Sequence, residues 1–202
     1  MPQTLLALLA LTLSSVLVLN QQRLTTKAQT RMMTDELELA ASGLASDILE
    51  FAEARSFDES TTPPAIEATQ IVPSQSAVFV PATAFGLADR GTAGCNLLTP
   101  GVTPECDDLD DLSGLVNVPV SIPLANGRSV PFTATISVEY VSETASNAVS
   151  DTPTRHKRIV VSVRSRFVNG GRTTVLESPR VISYDPVKAA KDHEDIYGPM
   201  SL

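Results

Sequence analysis

The stretch MPQTLLALLALTLSSVLVLNQQR, residues 1–23, decides the fold of this chain because it needs an apolar environment on every side. Its first 22 residues carry no charged side chain, and residues 5–19 are apolar except for Thr12, Ser14 and Ser15. A helix needs about 20 apolar residues to cross the hydrocarbon core of a bilayer, which is about 30 Å thick. We therefore expect a helix here that lies in lipid or is surrounded by other protein.

The rest of the chain has the composition of one folded domain. Of its 202 residues 43% are hydrophobic, there is no Trp, and the formal net charge is −8. This charge makes nucleic acid an unlikely main partner, because phosphate binding depends on clustered Lys and Arg. The two cysteines are Cys95 and Cys106. They could close a short disulfide loop in an oxidising compartment, or remain free thiols in the cytosol.

The charges that flank the apolar stretch distinguish three roles for it: a cleaved signal peptide, a membrane anchor, or a helix inside a protein assembly. A signal peptide has basic residues before the apolar run and a small-residue cleavage site after it, and neither is found here. The basic Arg23, Lys27 and Arg31 follow the run, so the positive-inside rule places a simple anchored protein in the cytoplasm. An anchor is compatible with a disulfide if Met1 is the first residue left after removal of a short basic leader.

Residues 23–55 continue the helix with an amphipathic pattern. No proline interrupts them, and they are rich in good helix formers. Apolar side chains recur at spacings of three and four residues and define one face, formed by Met33, Leu37, Ala41, Leu44, Ile48 and Phe51. We predict one helix from Gln3 to Arg55, with an apolar half at 1–22 and an amphipathic half that packs on the chain's own head.

The remaining residues predict a connecting region at 56–115, an antiparallel sheet at 116–185 and a polar tail at 186–202. Alternating or β-branched segments indicate the strands, at 77–81, 117–124, 131–141, 157–168 and 172–184. Alternation predicts an inner face formed by Phe132, Ala134, Ile136, Val138 and Tyr140 of the third segment and by Ile159, Val161, Val163 and Phe167 of the fourth. Asn126-Gly127 and Asn169-Gly170-Gly171 are typical of hairpin turns. The predicted fold class is α+β, with the long helix covering one face of the sheet.

This order of elements resembles the type IV pilin family, which includes the pseudopilins of type II secretion systems. The resemblance covers the apolar helix half, the amphipathic half and the C-terminal sheet with its short cysteine loop. The segments FTATISVEYV, HKRIVVSVRSRF and VLESPRVISYD are also similar to the sheet of prepilin-type proteins. The resemblance implies a pilin-like fold with a disulfide between Cys95 and Cys106.

In that family a leader peptidase removes a basic leader, and the new first residue, which Met1 matches, becomes methylated. Family members usually have Glu as the fifth mature residue, whereas this chain has Leu5, so the resemblance implies no charge pairing of the N-terminus. It implies a filament core built from the apolar side chains of the first helix half: Leu5, Leu6, Leu8, Leu9, Leu11, Leu13, Val16, Leu17, Val18 and Leu19.

The predicted function is therefore that of a structural subunit of an extracellular type IV pilus-like filament on the cell surface, held in the inner membrane before assembly. Its partners are identical subunits, the pilus assembly machinery and the leader peptidase. Adhesion, motility, DNA uptake and secretion are all roles that such a filament can have. Two alternatives are a minor pilin or pseudopilin of a type II secretion-like system, and a monomeric surface binding protein with a signal-anchor helix.

Nothing in the sequence indicates catalysis or a bound cofactor. The two histidines, His156 and His193, are too far apart in the sequence to argue for a metal site or a catalytic triad. The chain has neither a CxxC pattern nor a Gly-rich phosphate loop. We expect no enzyme activity, no metal and no cofactor.

Two charged patches are candidates for contacts between subunits. The acidic patch, within CDDLDDL, contains Asp107, Asp108, Asp110 and Asp111. The basic patch consists of the segment RHKR at 155–158, which ends with Arg158, together with Arg164 and Arg166 on the outward parity of the same predicted strand. We predict that these patches meet between neighbouring subunits. The alternatives are solvated surfaces, Ca²⁺ binding by the acidic loop, and DNA binding by the basic strand.

Overall fold

The computed structural model describes residues 2–74, 78–85, 106–123, 129–144, 148–165 and 174–198. Its helices are α1 (Pro2–Glu53), α2 (Pro63–Thr69) and α3 (Pro186–Tyr197), and its strands are β1 (Leu115–Pro123), β2 (Ser129–Tyr140), β3 (His156–Ser165) and β4 (Thr174–Ser183). Short 3₁₀ helices lie at Glu59–Thr61, Ala82–Ala84 and Asp110–Leu112. This is the predicted α+β arrangement of a long N-terminal helix and a C-terminal antiparallel sheet.

The predicted continuous helix is confirmed, since α1 includes every residue from Pro2 to Glu53. At 1.5 Å per residue it is about 80 Å long. In the part of the chain described above, no helix combines the length and the hydropathy needed to cross a membrane.

Only the C-terminal third of α1 packs on the head, the part of the chain from residue 56 onward. The head begins to cover the helix at Leu37, whose side chain is half-buried. The fully buried side chains that follow are Ala41, Leu44, Ala45, Ile48, Leu49 and Ala52. They belong to the core that α1 forms with the sheet, where the helix contacts β3 and β4. The prediction that the packed stripe begins at Met33 is wrong, because the head does not extend that far along the helix and this side chain is 66% exposed.

The four strands form an antiparallel meander in the order β1-β2-β3-β4. The predicted inner face is confirmed by the buried side chains Phe132, Ala134, Ile136, Val138 and Tyr140 of β2 and Ile159, Val161 and Val163 of β3. Phe167, which was expected on the same face, lies outside the described residues. Alternation therefore predicts which side of the sheet α1 covers.

The segment predicted as a strand at 77–81 is not one in its described part. Residues 78–81 precede the 3₁₀ helix Ala82–Ala84, and Phe79 turns into the core. Its ring centroid lies 5.3 Å from that of Phe57 and 5.1 Å from that of Tyr184. Phe79 is therefore used for core packing, whereas its β-branched neighbour Val78 is 58% exposed.

The predicted polar tail is helix α3. The Asp185 side chain caps it by accepting a hydrogen bond of 2.9 Å from the Val187 backbone nitrogen, and Pro186 occupies the first turn. His193 is buried, and its Nε2 atom lies 2.8 Å from Oε2 of Glu67 in α2. The C-terminal residues up to Tyr197 therefore belong to the head.

Candidate functional site

An uncovered apolar helix surface is the first candidate site. Every side chain from Leu9 to Met33 is exposed. The large apolar ones are Leu9, Leu11, Leu13, Val16, Leu17, Val18, Leu19, Leu24, Met32 and Met33, with exposed fractions from 49% to 67%. From Leu9 to Leu19 only Thr12, Ser14 and Ser15 interrupt the apolar residues, and a contiguous apolar surface marks a site of interaction with protein or lipid. Seven of the predicted filament-core side chains lie on this surface, whereas those of Leu5, Leu6 and Leu8 lie outside the described set, as does Met1.

Six hydroxyl groups in or next to this surface donate hydrogen bonds to the helix backbone. Thr12 donates to the carbonyl oxygen of Leu9 and Ser15 to that of Leu11, each over 2.9 Å. Thr25, Thr26, Thr30 and Thr34 each bond back to the carbonyl four residues earlier. A hydroxyl that is bonded in this way does not need water, so it can enter an apolar environment at little cost.

The second candidate site is a buried ionic cluster around Lys157, whose side chain is fully buried on the inner face of β3. Its Nζ atom lies 2.6 Å from the carbonyl oxygen of Phe57, 3.1 Å from Oδ2 of Asp58 and 2.5 Å from Oδ1 of Asp110. It also lies 4.5 Å from the ring centroid of Phe57 and 5.0 Å from that of Tyr140. Two carboxylates, a carbonyl and aromatic faces thus replace the water that the ammonium loses.

Asp58 carries the best-compensated negative charge of this cluster. Its carboxylate accepts hydrogen bonds from the Ser60 backbone nitrogen at 3.2 Å, the Ser60 hydroxyl at 2.9 Å and the Val80 nitrogen at 3.1 Å. The Tyr140 hydroxyl lies 3.0 Å away. Burial acts to raise the pKa of Asp58, but the charge of Lys157 and these hydrogen bonds outweigh it and leave the pKa lowered.

The pKa values of Asp108 and Asp110 are shifted in the opposite direction, upward. Burial, reinforced by the charge of Asp111, raises the pKa of Asp108 to about 7. Burial also raises the pKa of Asp110 to about 8, against the attraction of Lys157. One cation cannot balance several buried carboxylates, so protons compensate the excess negative charge near neutral pH.

The acidic patch is therefore mostly internal, which corrects the prediction of a solvated or intersubunit loop. Asp108, Asp110 and Asp111 are each no more than 4% exposed and cannot reach a neighbouring subunit. Asp108 Oδ1 accepts from the backbone nitrogens of Asp110 at 2.7 Å and Asp111 at 3.0 Å, which starts the 3₁₀ helix before β1. Of the four predicted acidic residues, only Asp107 is partly exposed.

The predicted basic patch is also only partly available. Arg158 Nε donates to Oε1 of Glu139, its cross-strand partner in β2, over 2.7 Å. Arg164 is exposed, and Arg166 lies outside the described residues. The structure therefore does not present the predicted acidic and basic patches as two complementary exposed surfaces.

Only one of the two cysteines of the predicted disulfide lies in the described part of the chain. Cys106 is buried at the start of the segment that holds Asp108 and Asp110. Cys95 lies outside the described residues, so the disulfide between them stays a prediction. Over the residues that the structure describes, no cluster of three or more His, Cys, Asp or Glu side chains is arranged to hold a metal ion.

The prediction that places Lys157 in the basic patch is wrong, because its side chain is fully buried in the core. The signal was available, because Lys157 shares the inward parity of Ile159, Val161 and Val163. Its partners Asp58 and Asp110 are 99 and 47 residues away, and no local pattern connects them. The cluster joins the segment that follows α1 and the segment before β1 to the sheet.

Comparison with protein-family models, with curated proteins and with solved structures finds no match to this chain.

Proposed function

We propose that this chain is a structural subunit of an extracellular type IV pilus-like filament, assembled by packing the N-terminal part of α1 against the same helix of neighbouring copies. The observation that carries the proposal is the uncovered helix surface from Leu9 to Met33, which the chain's own head does not reach. The buried ionic cluster has a supporting role, since it joins the head into one unit at the end of that helix. The function needs neither catalysis nor a cofactor.

The uncovered apolar side chains are costly in water, so they need lipid or protein around them. Full burial of a Leu or Val side chain contributes about 1.5–3 kcal/mol relative to exposure in water. The seven large apolar residues from Leu9 to Leu19 are each roughly half to two-thirds exposed, so leaving them in water costs on the order of 10 kcal/mol. A segment that leaves lipid therefore has to be enclosed by several neighbouring helices.

Before assembly, the proposed location of the apolar segment is the inner membrane, with Met1 exposed by a leader peptidase. Packing of helices that leave lipid is driven by close contact and not by the hydrophobic effect. Mass spectrometry of the subunit from cells tests this step. It should find an N-methylated Met1, and a longer N-terminus in every molecule would contradict the processing.

The test of the filament itself is a charge placed on the apolar surface. In the variant Leu13→Arg, each subunit would have to bury a guanidinium without a partner, at a cost of several kcal/mol. Electron microscopy of surface filaments sheared from cells, with the subunit identified by mass spectrometry, should show filaments for the natural protein and none for the variant. Ser137→Arg is the control, because Ser137 is exposed on β2 and lies on the opposite face of the sheet from the core.

The outcome also separates the alternatives. A subunit that forms most of the filament mass supports the proposal, whereas a trace component indicates a minor pilin or pseudopilin. A protein that is only ever recovered as a monomer contradicts assembly and favours the surface binding protein.

A further inference from the structure

Three basic side chains on α1 continue the line of the helix face that packs on the head. Arg23, Lys27 and Arg31 are spaced by four residues and are all exposed. Each precedes a buried residue by about five helical turns, at 3.6 residues per turn; these buried residues are Ala41, Ala45 and Leu49. The basic stripe, as we call Arg23, Lys27 and Arg31, therefore faces the space beyond the head on the same side of α1.

The basic stripe forms no ion pair on its own helix, although Asp35 stands one turn after Arg31. The sequence contains no Asp or Glu before Asp35, and none of the stripe residues forms an ion pair with any residue that the structure describes. Its like charges stand four residues apart, a spacing that slightly disfavours an isolated helix. An external acidic surface would remove this repulsion.

An acidic groove of about 450 Å³ opens at the other end of the molecule, beside the C-terminal end of α1. Ala54, Ser56 and the last turns of α3 contribute to its walls. Its charged residues are Asp107, Asp192 and Asp195, and no basic side chain lines it. Ile196 and Tyr197 add apolar walls with exposed fractions of 64% and 49%.

Asp192 and Asp195 supply the available charge of this groove. Neither forms an ion pair with a described residue, whereas Asp107 already interacts with the charge of Arg55. The two carboxylates are one helical turn apart on α3, which matches the one-turn spacing of the basic stripe. Leu24 is 67% exposed beside the stripe and offers an apolar partner for Ile196 and Tyr197.

The basic stripe and the acidic groove of one chain cannot meet. Lys27 and Ala54 are separated by about 40 Å along α1. Between parallel copies, as in the filament proposed above, a contact between them requires a displacement along the helix axis by that distance. Such a contact uses different surfaces on its two sides, and its axial displacement prevents closure into a ring, so repetition produces an open filament.

On the basis of the filament function proposed above, we propose that the basic stripe of one subunit docks in the acidic groove of the next. Lys27 and Arg31 would pair with Asp192 and Asp195, and Leu24 would pack against Ile196 and Tyr197. Charge pairs of this kind contribute modest energy but set the axial register between subunits.

Zero-length carbodiimide coupling tests the contact directly, because it joins an amine to a carboxylate only where the two touch. In filaments of the natural protein, mass spectrometry should find Lys27 coupled to Asp192 or Asp195. Such a product must link two copies, given the distance within one chain. The control Lys27→Arg keeps the charge but cannot form the amide, so it should keep filaments and lose this product. Filaments that yield other intersubunit products but not this one would overturn the proposal.

Charge exchange provides the second test. The variant K27E/R31E should lower filament yield at least tenfold, and adding D192K/D195K in the same chain should restore most of it. Unchanged filaments in K27E/R31E would overturn the docking and leave the filament function standing. Loss of membrane association with no rescue by the exchange would assign the stripe to anionic lipid headgroups and also overturn the docking. Absence of filaments from the natural protein would contradict the filament function itself.

Discussion

At the scale of single residues, the buried Lys157 organises the head. Taking an ammonium out of water costs several kcal/mol, and it is tolerated here because Asp58, Asp110 and the Phe57 carbonyl oxygen surround it. These groups come from the segment that follows α1 and from the segment before β1, so one side chain joins both to β3. The cluster therefore determines where the head sits on α1 and how the loop region packs.

We predict that Lys157→Met destabilises the head by about 3–5 kcal/mol, because it leaves the ionised carboxylate of Asp58 buried without its cation. Urea unfolding of the full chain in mild detergent, followed by tyrosine fluorescence because the chain has no Trp, measures this change. Adding Asp58→Asn should recover part of the loss. The matched control Arg164→Met removes an exposed cation from the same strand and should change stability by less than about 0.5 kcal/mol. Equal effects of the two Met variants would contradict the role of the cluster.

The same cluster makes the head more stable in mild acid than at neutral pH. The pKa of Asp108 is raised from 3.8 to about 7 and that of Asp110 to about 8, so the folded state binds more protons than the unfolded state over this range. Their contribution is complete below the unfolded pKa and is lost as the pH rises through 7 and 8. For Asp108 alone the shift corresponds to about 4 kcal/mol. The lowered pKa of Asp58 acts in the opposite sense and loses its contribution only as the pH falls below the ordinary carboxyl value.

Unfolding free energies measured between pH 4 and 9 test this behaviour. We expect the unfolding free energy to be highest at about pH 4–5 and to decline toward pH 8. Asp110→Asn should flatten the decline, because the variant side chain does not titrate. A profile that rises from pH 5 to pH 8 would show that these carboxyls are ionised in the folded state.

At the scale of elements, α1 and the sheet could be predicted because each repeats a simple pattern. Helix formers without a proline predict α1, and strict alternation predicts the inner face of β2 and β3. Helix α3 was missed although Asp185-Pro186 is a typical N-terminal signal, because its polar composition suggested a tail. The cover of α1 was predicted too far toward the N-terminus, since periodicity shows an apolar face but not how much of it the head reaches.

We predict that Asp185→Ala lowers stability by about 1 kcal/mol, because the first turn of α3 loses its side-chain cap. The same urea experiment measures the loss. Asp185→Asn, which can still accept the hydrogen bond from Val187, should behave nearly like the natural protein. A loss of the same size in both variants would show that the charge of Asp185 matters and not its cap.

At the scale of the whole molecule, hydropathy and charge are separated along one axis. The apolar helix surface begins at the N-terminus, the basic stripe follows, and all 23 acidic residues come later in the chain. The buried cluster removes several of those acids from the surface, which leaves the groove beside α3 as an acidic surface near the far end of α1. The basic stripe and the acidic groove thus carry opposite charges at different heights along α1. Copies that stack in one direction can therefore place the stripe of one against the groove of another.

Electron cryomicroscopy of filaments made by the natural protein shows directly which part of α1 lies inside them. We expect a filament in which residues 9–22 of α1 form the interior, with each helix surrounded by the same segment of neighbouring copies. A filament with this segment on its outer surface, or a protein that never assembles under conditions where its head is folded, would contradict it.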